Sequence, residues 1–422
     1  MTTSGAAQQS AVGRAFDRQR LTKLADGLAV ALVVSLPWST TATGVLVVLW
    51  LLAVLPTLRV ADLRQVLLTP PGGLPVVLFI LALLGMTWAT SVPLAERVAG
   101  VISFAKLLVI PLLLVHFRRS DAAKWVMAGF VFSCAALLVA SWASYLAGVS
   151  WQGKNLGIPV KNYSSQADMF TIAIFILAAI ALDAWRAGMR GAAVAYAGAA
   201  LAFLCNILYI ATSRTALVAL SVLLVVFGVM KFQWKGALGA LVVLAAVGAL
   251  AWPSSEFLRL RVESFTKELS QYRTENARTS AGERVEFWKK SVAFIAAAPV
   301  VGHGTGSIQE QFRRAVSGLG GSSDVASSNP HNQTLAVGIQ LGFLGIAALF
   351  AMWAAHLALF RGSGLVAWIG LVVVVQNVVG SLFNSELFDF TQGWAYVIGV
   401  GVAGGALLRS GPEPGAPPTG LS

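Results

Sequence analysis

Apolar runs of about 17–25 residues recur along almost the whole chain, separated by short polar stretches. A run of that length, wound as an α-helix, crosses the roughly 30 Å hydrocarbon core of a bilayer. Because no water reaches this core, only helices and closed barrels can satisfy their backbone groups there. The alternating pattern of barrel strands is absent from the sequence. The chain is therefore predicted to be an all-α, polytopic membrane protein.

Composition supports this prediction. The chain is 57% hydrophobic and 11% charged, with a mean hydropathy of +0.76, whereas soluble domains carry about 25% charge. The net charge of +12 does not indicate nucleic-acid binding, since about half of the Lys and Arg residues lie in short loops between apolar runs. Cys134 and Cys205 both lie inside apolar runs, which argues against a disulfide framework and against a thiolate metal site.

The apolar runs predict about twelve transmembrane helices. They lie near residues 24–37, 43–56, 73–90, 98–116, 123–147, 165–184, 192–211, 215–230, 236–252, 331–359, 364–383 and 391–409. With this count, most Lys and Arg clusters fall on one side, which the positive-inside rule makes cytoplasmic. Merging the first two runs would place the basic N-terminal segment on the other side. Both termini are thus expected in the cytoplasm, and the single long hydrophilic segment is expected to face outward.

These boundaries divide the chain into five parts. They are a cytoplasmic N-terminal segment (1–23), transmembrane helices 1–9 (24–252), an outer loop (253–330), transmembrane helices 10–12 (331–409) and a disordered cytoplasmic tail (410–422). The first apolar run lacks a clear signal-peptidase site, so a retained helix is predicted there.

The outer loop is predicted to be partly helical. Leu258, Val262, Phe265, Leu269 and Tyr272 follow one another at intervals of four and three residues, which gives one apolar stripe on a helix. Such a helix either lies in the membrane interface or packs on the rest of the loop. A second helix is predicted from Glu283 to Ala298 and ends at Pro299.

His331 is the leading candidate for catalysis. It lies in the stretch Asn329-Pro330-His331-Asn332, where the hydrophilic loop returns to apolar sequence. A His at this boundary can meet lipid-borne and water-borne molecules together, and it titrates near neutral pH. Asn332 beside it could orient the ring or a sugar hydroxyl. The alternative is a structural His at the start of a helix.

Arg214 and Arg284 are candidates for anion binding. Arg214 lies at a tight outer turn between two strongly apolar runs, where an Arg usually faces a cavity or a charged ligand. It could also extend to the outer headgroups. Arg284 lies one turn before Trp288 in the outer loop, where most charges are simply solvated.

Two further features are ambiguous. The sequence Gly302-His303-Gly304-Thr305-Gly306 resembles a phosphate-binding loop, but no Lys-Ser/Thr pair or βαβ unit follows, so a tight turn is favoured. Lys106 lies inside an apolar run. It is expected either to pair with an acid such as Asp168 or to help neutralise an anionic ligand.

No resident metal or cofactor is predicted. The outer stretches contain no D-x-D or comparable carboxylate cluster for Mg²⁺ or Mn²⁺. The ligand spacing of a zinc site is also missing.

Taken in order, these motifs resemble the O-antigen ligase and O-antigen polymerase superfamily of bacterial inner membranes. The resemblance rests on Ser213-Arg214, on Arg284, Trp288, Pro299 and Gly302-x-Gly304-x-Gly306 in the long loop, and on His331-Asn332-x-x-Leu335 with Gly342-x-x-Gly345. It covers about a third of the chain. It implies that His331 is the catalytic base and that Arg214 and Arg284 bind pyrophosphate, with Asn332, Lys106, Trp288 and Gly304 as possible supporting residues.

The resemblance also implies a reaction. Members of the family transfer a glycan from undecaprenyl pyrophosphate to an acceptor on the periplasmic face of the Gram-negative inner membrane. The number of spans and the single dominant loop favour the ligase, whose acceptor is a lipid A–core sugar, and direct displacement would invert the anomeric centre. An O-antigen polymerase and a protein O-oligosaccharyltransferase are alternatives. A lipid-linked sugar flippase would be expected to show duplicated halves, and no clear repeat is present.

Overall fold

A computed structural model describes residues 3–150, 155–316, 318 and 320–410, and every regular element within these ranges is helical. The α-helices are α1 (Thr3–Ser35), α2 (Thr40–Val54), α3 (Val60–Leu67), α4 (Pro70–Gly85), α5 (Leu94–Ala105), α6 (Val109–Arg119), α7 (Ala123–Leu146), α8 (Tyr163–Arg186), α9 (Arg190–Tyr209), α10 (Arg214–Ser254), α11 (Glu256–Glu275), α12 (Ser280–Ala297), α13 (Ile308–Arg314), α14 (Gln333–Leu359), α15 (Leu365–Gly380) and α16 (Phe390–Ser410). The prediction of an all-α polytopic membrane protein is confirmed.

Within the described ranges, eight helical stretches are long and apolar enough to cross a membrane, or nine if the bent pair α3–α4 forms one span. The first predicted span falls in α1, which is not among the eight because its last 18 residues contain four charged side chains, Arg18, Arg20, Lys23 and Asp26. α15 is apolar but only 16 residues long. The total of twelve spans and the five-part division stay predictions. The predicted disordered tail beyond Ser410 lies outside the described residues.

Two predicted spans, 215–230 and 236–252, lie in the single long element α10, which is broken in its middle. Gln233 has φ 58° and ψ −146°, a conformation that no helix continues through. The two halves approach each other closely, since a Cβ added to Gly228 would meet the backbone of Gly236. The chain therefore reverses near Gln233, as two separate spans require.

The predicted outer loop is helical where the sequence predicts helices. α11 contains the whole apolar stripe, and α12 begins three residues before the predicted start and ends one residue before the predicted end. Val262 and Phe265 of the stripe are each 43% exposed, so the stripe is only partly covered by protein.

α14 is interrupted at Gly342, where φ is 59° and ψ is −155°. The break leaves backbone N–H and carbonyl groups of α14 without partners in the helix. The segment from Pro299 to His303 forms hydrogen bonds with them. Phe343 N–H donates to the carbonyl of Pro299 at 2.7 Å, and His303 N–H donates to the carbonyl of Ile339 at 2.8 Å. Polar backbone can lie at membrane depth only when it is paired in this way. A Cβ at residue 342 would come within 2.6 Å of the Pro299 carbonyl oxygen, so this approach requires glycine.

α8 and α16 are the most buried of the candidate spans. In each of them, 78% of the apolar stretch lies inside the protein. α8 packs against α9, α10 and α15, and α16 packs against α6 and α15. The N-terminal ends of α8, α10, α12 and α14 meet on one side of this core, as the residues of the cleft described next demonstrate.

Candidate active site

The three leading candidates from the sequence lie in one cleft. Arg214, Arg284 and His331 all line a cavity of about 200 Å³. They come from three elements: the start of α10, the first turns of α12 and the segment immediately before α14. Residues separated by up to 117 positions in the sequence are thus brought together, as the resemblance requires.

The cleft lies at the N-terminal ends of four helices. Tyr163 and Ser164 begin α8, Ser213 caps α10, Ser280 begins α12, and His331 lies two residues before α14. The peptide dipoles of a helix place a partial positive charge at its N-terminus, and backbone N–H groups point outward there. Four such ends beside two guanidinium groups make the cleft a strong candidate for binding an anion.

Arg214 is held by α11. Its guanidinium donates to Ser264 Oγ at 3.1 Å, lies 3.6 Å from Glu268 Oε1 and stacks over the ring of Phe265. Glu268 also accepts from the N–H of Ala281 at 3.0 Å, so it links α10, α11 and α12. The 3.6 Å separation is long for an ion pair, and 34% of the Arg214 side chain is exposed. The guanidinium therefore has donors left for a ligand.

Arg284 is the less restrained of the two. Its guanidinium forms no hydrogen bond and no salt bridge with any of the described residues. Burial lowers the pKa of Arg284, and the positive charge of Arg214 lowers it further, whereas Tyr163 and Glu268 raise it. Arginine keeps its proton through such shifts, so a charged guanidinium that is unpaired among the described residues lines the cleft.

His331 is fixed in position by three contacts. Its backbone N–H donates to Asn329 Oδ1 at 2.8 Å, and its ring stacks on Phe287 with centroids 6.3 Å apart. Its ring Nδ1 lies 3.1 Å from Asn384 Oδ1. Its φ of 52° lies in the left-handed region, which non-glycine residues rarely adopt. Strain of this kind persists only where the surroundings enforce it, and it is concentrated at functional sites.

Asn384 determines which nitrogen of His331 carries the proton. Its amide Nδ2 donates to the carboxylate of Asp389 in a short hydrogen bond, which turns Oδ1 towards the imidazole. A carbonyl oxygen can only accept, so His331 Nδ1 must be the donor. Nε2 of the neutral ring is then left with its lone pair. This is the tautomer that a general base needs.

The environment of His331 favours its neutral form. Burial lowers the pKa of His331, and the nearby charge of Arg284 lowers it further, while the Asn384 hydrogen bond and Asp389 act in the opposite direction. The net shift is below the ordinary value of 6.5. The imidazole is thus unprotonated at neutral pH and can accept a proton.

Lys106 supports the loop that carries Asn384 and Asp389. Its ammonium donates to the backbone carbonyls of Phe388 at 3.2 Å and Asp389 at 2.9 Å. The pairing of Lys106 with Asp168 is wrong, because the two carboxylate oxygens of Asp168 accept instead from Gln376 and Gln392. Lys106 is not a lining residue of the cleft.

The other supporting candidates have structural contacts. Asn332 caps α14 by accepting from Leu335 N–H at 3.0 Å, and it donates to the carbonyl of Leu382. Gly304 N–H donates to the carbonyl of Gln340 at 2.9 Å, so this glycine segment is a turn packed on α14 and its backbone donors are occupied. Trp288 lies one turn beyond Arg284, and its buried indole N–H has no partner within the described part of the chain.

The described residues contain no group of three or more His, Cys, Asp or Glu side chains arranged to hold a metal ion. Positive charge at the cleft comes from Arg214, Arg284 and the helix ends.

Several residues at the cleft were not identified from the sequence. Asn384, Tyr163, Ser164 and Glu268 all line it, and none belongs to a recognisable motif. The weak signal for Asn384 was its place in a short polar stretch between two apolar runs, which also contains Asp389.

Residues 198–350 match the family model described as "O-Antigen ligase". No protein with a curated description matches the chain. The matched segment contains Arg214, Arg284 and His331, whereas Asn384, Asp389 and Lys106 lie outside it.

Proposed function

We propose, from the match of residues 198–350 to the O-antigen ligase family model, that the chain is an inverting, metal-independent glycosyltransferase. In this proposal it transfers O-antigen glycan from undecaprenyl pyrophosphate to a sugar of lipid A–core oligosaccharide. The reaction takes place at the periplasmic face of the Gram-negative inner membrane. The observation that carries the proposal is the convergence of His331, Arg214 and Arg284 in one cleft.

The two arginines bind the pyrophosphate of the donor. A planar guanidinium can hold two phosphate oxygens at once. As the bond between the anomeric carbon and the phosphate oxygen breaks, negative charge grows on the leaving pyrophosphate. Arg214, Arg284 and the N-termini of α8, α10 and α12 stabilise that charge from fixed positions. The loose contact between Arg214 and Glu268, at 3.6 Å, allows the phosphate to replace the carboxylate.

His331 activates the acceptor. An uncharged sugar hydroxyl is a poor nucleophile, and it becomes a better one when its proton is removed during attack. Nε2 of His331 accepts this proton while Nδ1 keeps its hydrogen bond to Asn384. The acceptor oxygen forms a bond to the anomeric carbon on the face opposite the pyrophosphate, which inverts the configuration. His331 then returns the proton to the released pyrophosphate or to water.

Reconstitution tests this function. Purified protein in detergent is mixed with a lipid-linked O-antigen donor and rough lipopolysaccharide, and the products are separated by electrophoresis. The proposal expects a covalent conjugate of glycan and lipid A–core. Elongated lipid-linked glycan without a conjugate would instead support a polymerase, and glycosylated pilin-type protein would support an oligosaccharyltransferase. Turnover without a sealed membrane excludes a flippase, because transport requires two compartments.

A further inference from the structure

A second polar cavity lies in the interior, apart from the cleft of His331. Asp168 of α8, Gln376 and Asn377 of α15, Glu386 and Gln392 line it. These side chains are nearly inaccessible, with Asp168 0% and Glu386 1% exposed. None of them lines the cleft that contains His331. Two carboxylic acids that are buried so deeply have lost their hydration. They need hydrogen bonds or a positive charge in its place.

Protein groups compensate only one of the two acids. Asp168 accepts from Gln376 Nε2 at 3.0 Å and from Gln392 Nε2 at 2.9 Å. Glu386 has no hydrogen bond within the described residues, and no salt bridge there involves either acid. Lys106, the nearest candidate cation on sequence grounds, is bound to backbone carbonyls of Phe388 and Asp389.

Amide oxygens in the same cavity are also unsatisfied. Both polar atoms of the Asn377 side chain and the Oε1 of Gln376 are buried without a partner among the described residues. Each of these two side chains is 3% exposed. Oxygen atoms can only accept hydrogen bonds or coordinate cations. Among the described residues that line the cavity, the one unpaired donor group is the Asn377 amide nitrogen, so two carboxylates and two amide oxygens around one space still leave a surplus of acceptors.

The size of the cavity limits what it can hold. Its volume is about 10 Å³, close to the least that one water molecule occupies. Ca²⁺ needs six to eight oxygen ligands, and Mg²⁺ keeps several of its waters, so neither fits a cavity of this size. A small monovalent cation can shed its water where protein oxygens replace it.

We propose that Asp168, Glu386, Gln376 and Asn377 form a binding site for one sodium ion. The ion neutralises one carboxylate charge and uses the unpaired amide oxygens. Glu386 lies two residues after Asn384 in the loop between α15 and α16. A bound sodium ion thus joins this loop, which also carries the residue that orients His331, to α8 and α15.

Thermal unfolding of the purified protein in detergent tests the site. Sodium chloride is raised a hundredfold while choline chloride keeps the ionic strength constant, and potassium chloride serves as a second ion. Binding to the folded state raises the melting temperature with concentration. We expect a rise of roughly 1–3 °C with sodium and a smaller one with potassium.

Variants connect the response to the cavity. Asp168→Asn removes a charged ligand, and Asn377→Ala removes a neutral one, which keeps the test valid if the first variant fails to fold. Both should lose the sodium response. Asp183→Asn changes an exposed acid on the same helix and should keep it.

Two results would overturn the proposal. One is a wild-type protein with no sodium response, which would mean that the cavity holds only water or a proton. The other is an equal response in Asp168→Asn, Asn377→Ala and wild type. The readout is stability and not glycan transfer, so the outcome does not depend on the proposed function.

Discussion

Nδ1 of His331 lies 3.1 Å from Oδ1 of Asn384, and the amide of Asn384 donates in turn to Asp389. This relationship determines the tautomer of a histidine that lines one cleft with two arginines and the N-terminal ends of several helices. It joins the segment before α14 to the loop before α16. The proposed base, His331, is therefore oriented by a residue 53 positions further along the chain.

Asn384→Ala should lower kcat by at least roughly tenfold while leaving donor affinity nearly unchanged. The substitution removes the acceptor of the Nδ1 proton, and the ring can then adopt the unproductive tautomer. Because the Asn384 hydrogen bond raises the pKa of His331, the acid limb of the pH profile should also move to lower pH. Steady-state kinetics between pH 4.5 and 8 measure both effects, with Gln309→Ala as the control. An unchanged kcat and profile would remove Asn384 from the mechanism.

Arg214→Lys and Arg284→Lys should each reduce kcat/KM by roughly 10- to 100-fold, because an ammonium cannot hold two phosphate oxygens as a guanidinium does. Arg273→Lys, on the exposed part of α11, provides the matched control. Titration with undecaprenyl pyrophosphate should reveal weaker binding in the two cleft variants only. Normal affinity and normal rate in both would place the pyrophosphate elsewhere.

The activity of the wild-type enzyme should rise with pH and reach half of its plateau below pH 6.5. Burial and Arg284 lower the pKa of His331 from that value, and only the unprotonated ring can act as a base. The sign follows from the direction of the shift: a lower pKa keeps the base active in more acidic solution. A half-maximum clearly above pH 6.5 would contradict the assignment of His331 as the base.

Transfer should continue after thorough EDTA treatment of purified components in detergent. Among the described residues no cluster of three or more metal-ligating side chains occurs, and arginines supply the positive charge that a metal would otherwise provide. Intact cells are unsuitable because divalent ions stabilise their outer membrane. Activity lost with EDTA and restored by Mg²⁺ or Mn²⁺ alone would overturn this prediction and direct attention to Glu386 and Asp389.

The helices were accessible from the sequence because apolar runs of membrane-spanning length have few other folds available. The reversal near Gln233 was accessible too, since it lies between the predicted spans 215–230 and 236–252. The break in α14 was not, because Gly342 is one of many glycines in apolar sequence. Whether a helix is interrupted at such a point depends on the partner that receives its released backbone groups, here Pro299 for Phe343. That partner is known only once the tertiary packing is known.

The candidate site, too, could be predicted from the sequence only in part. Arg214, Arg284 and His331 could be chosen because each lies where apolar sequence meets polar sequence or matches a family motif. Asn384 could not, since an asparagine in a short loop is ordinary and its importance comes from a contact across the fold. The Asp168 partner suggested for Lys106 rested on charge alone, and backbone carbonyls satisfied the ammonium instead.

The most direct measurement of the central claim is the single-turnover rate of His331→Ala with purified donor and acceptor. Removal of a general base should slow transfer by roughly 10²- to 10⁴-fold, with donor binding and the folded state preserved. His303→Ala is the matched control, because His303 lies in the same loop and its ring Nε2 donates to the Phe294 carbonyl, away from the cleft. Near wild-type turnover in a folded His331→Ala protein would contradict the account, and Asp389 would then be the next residue to examine as the base.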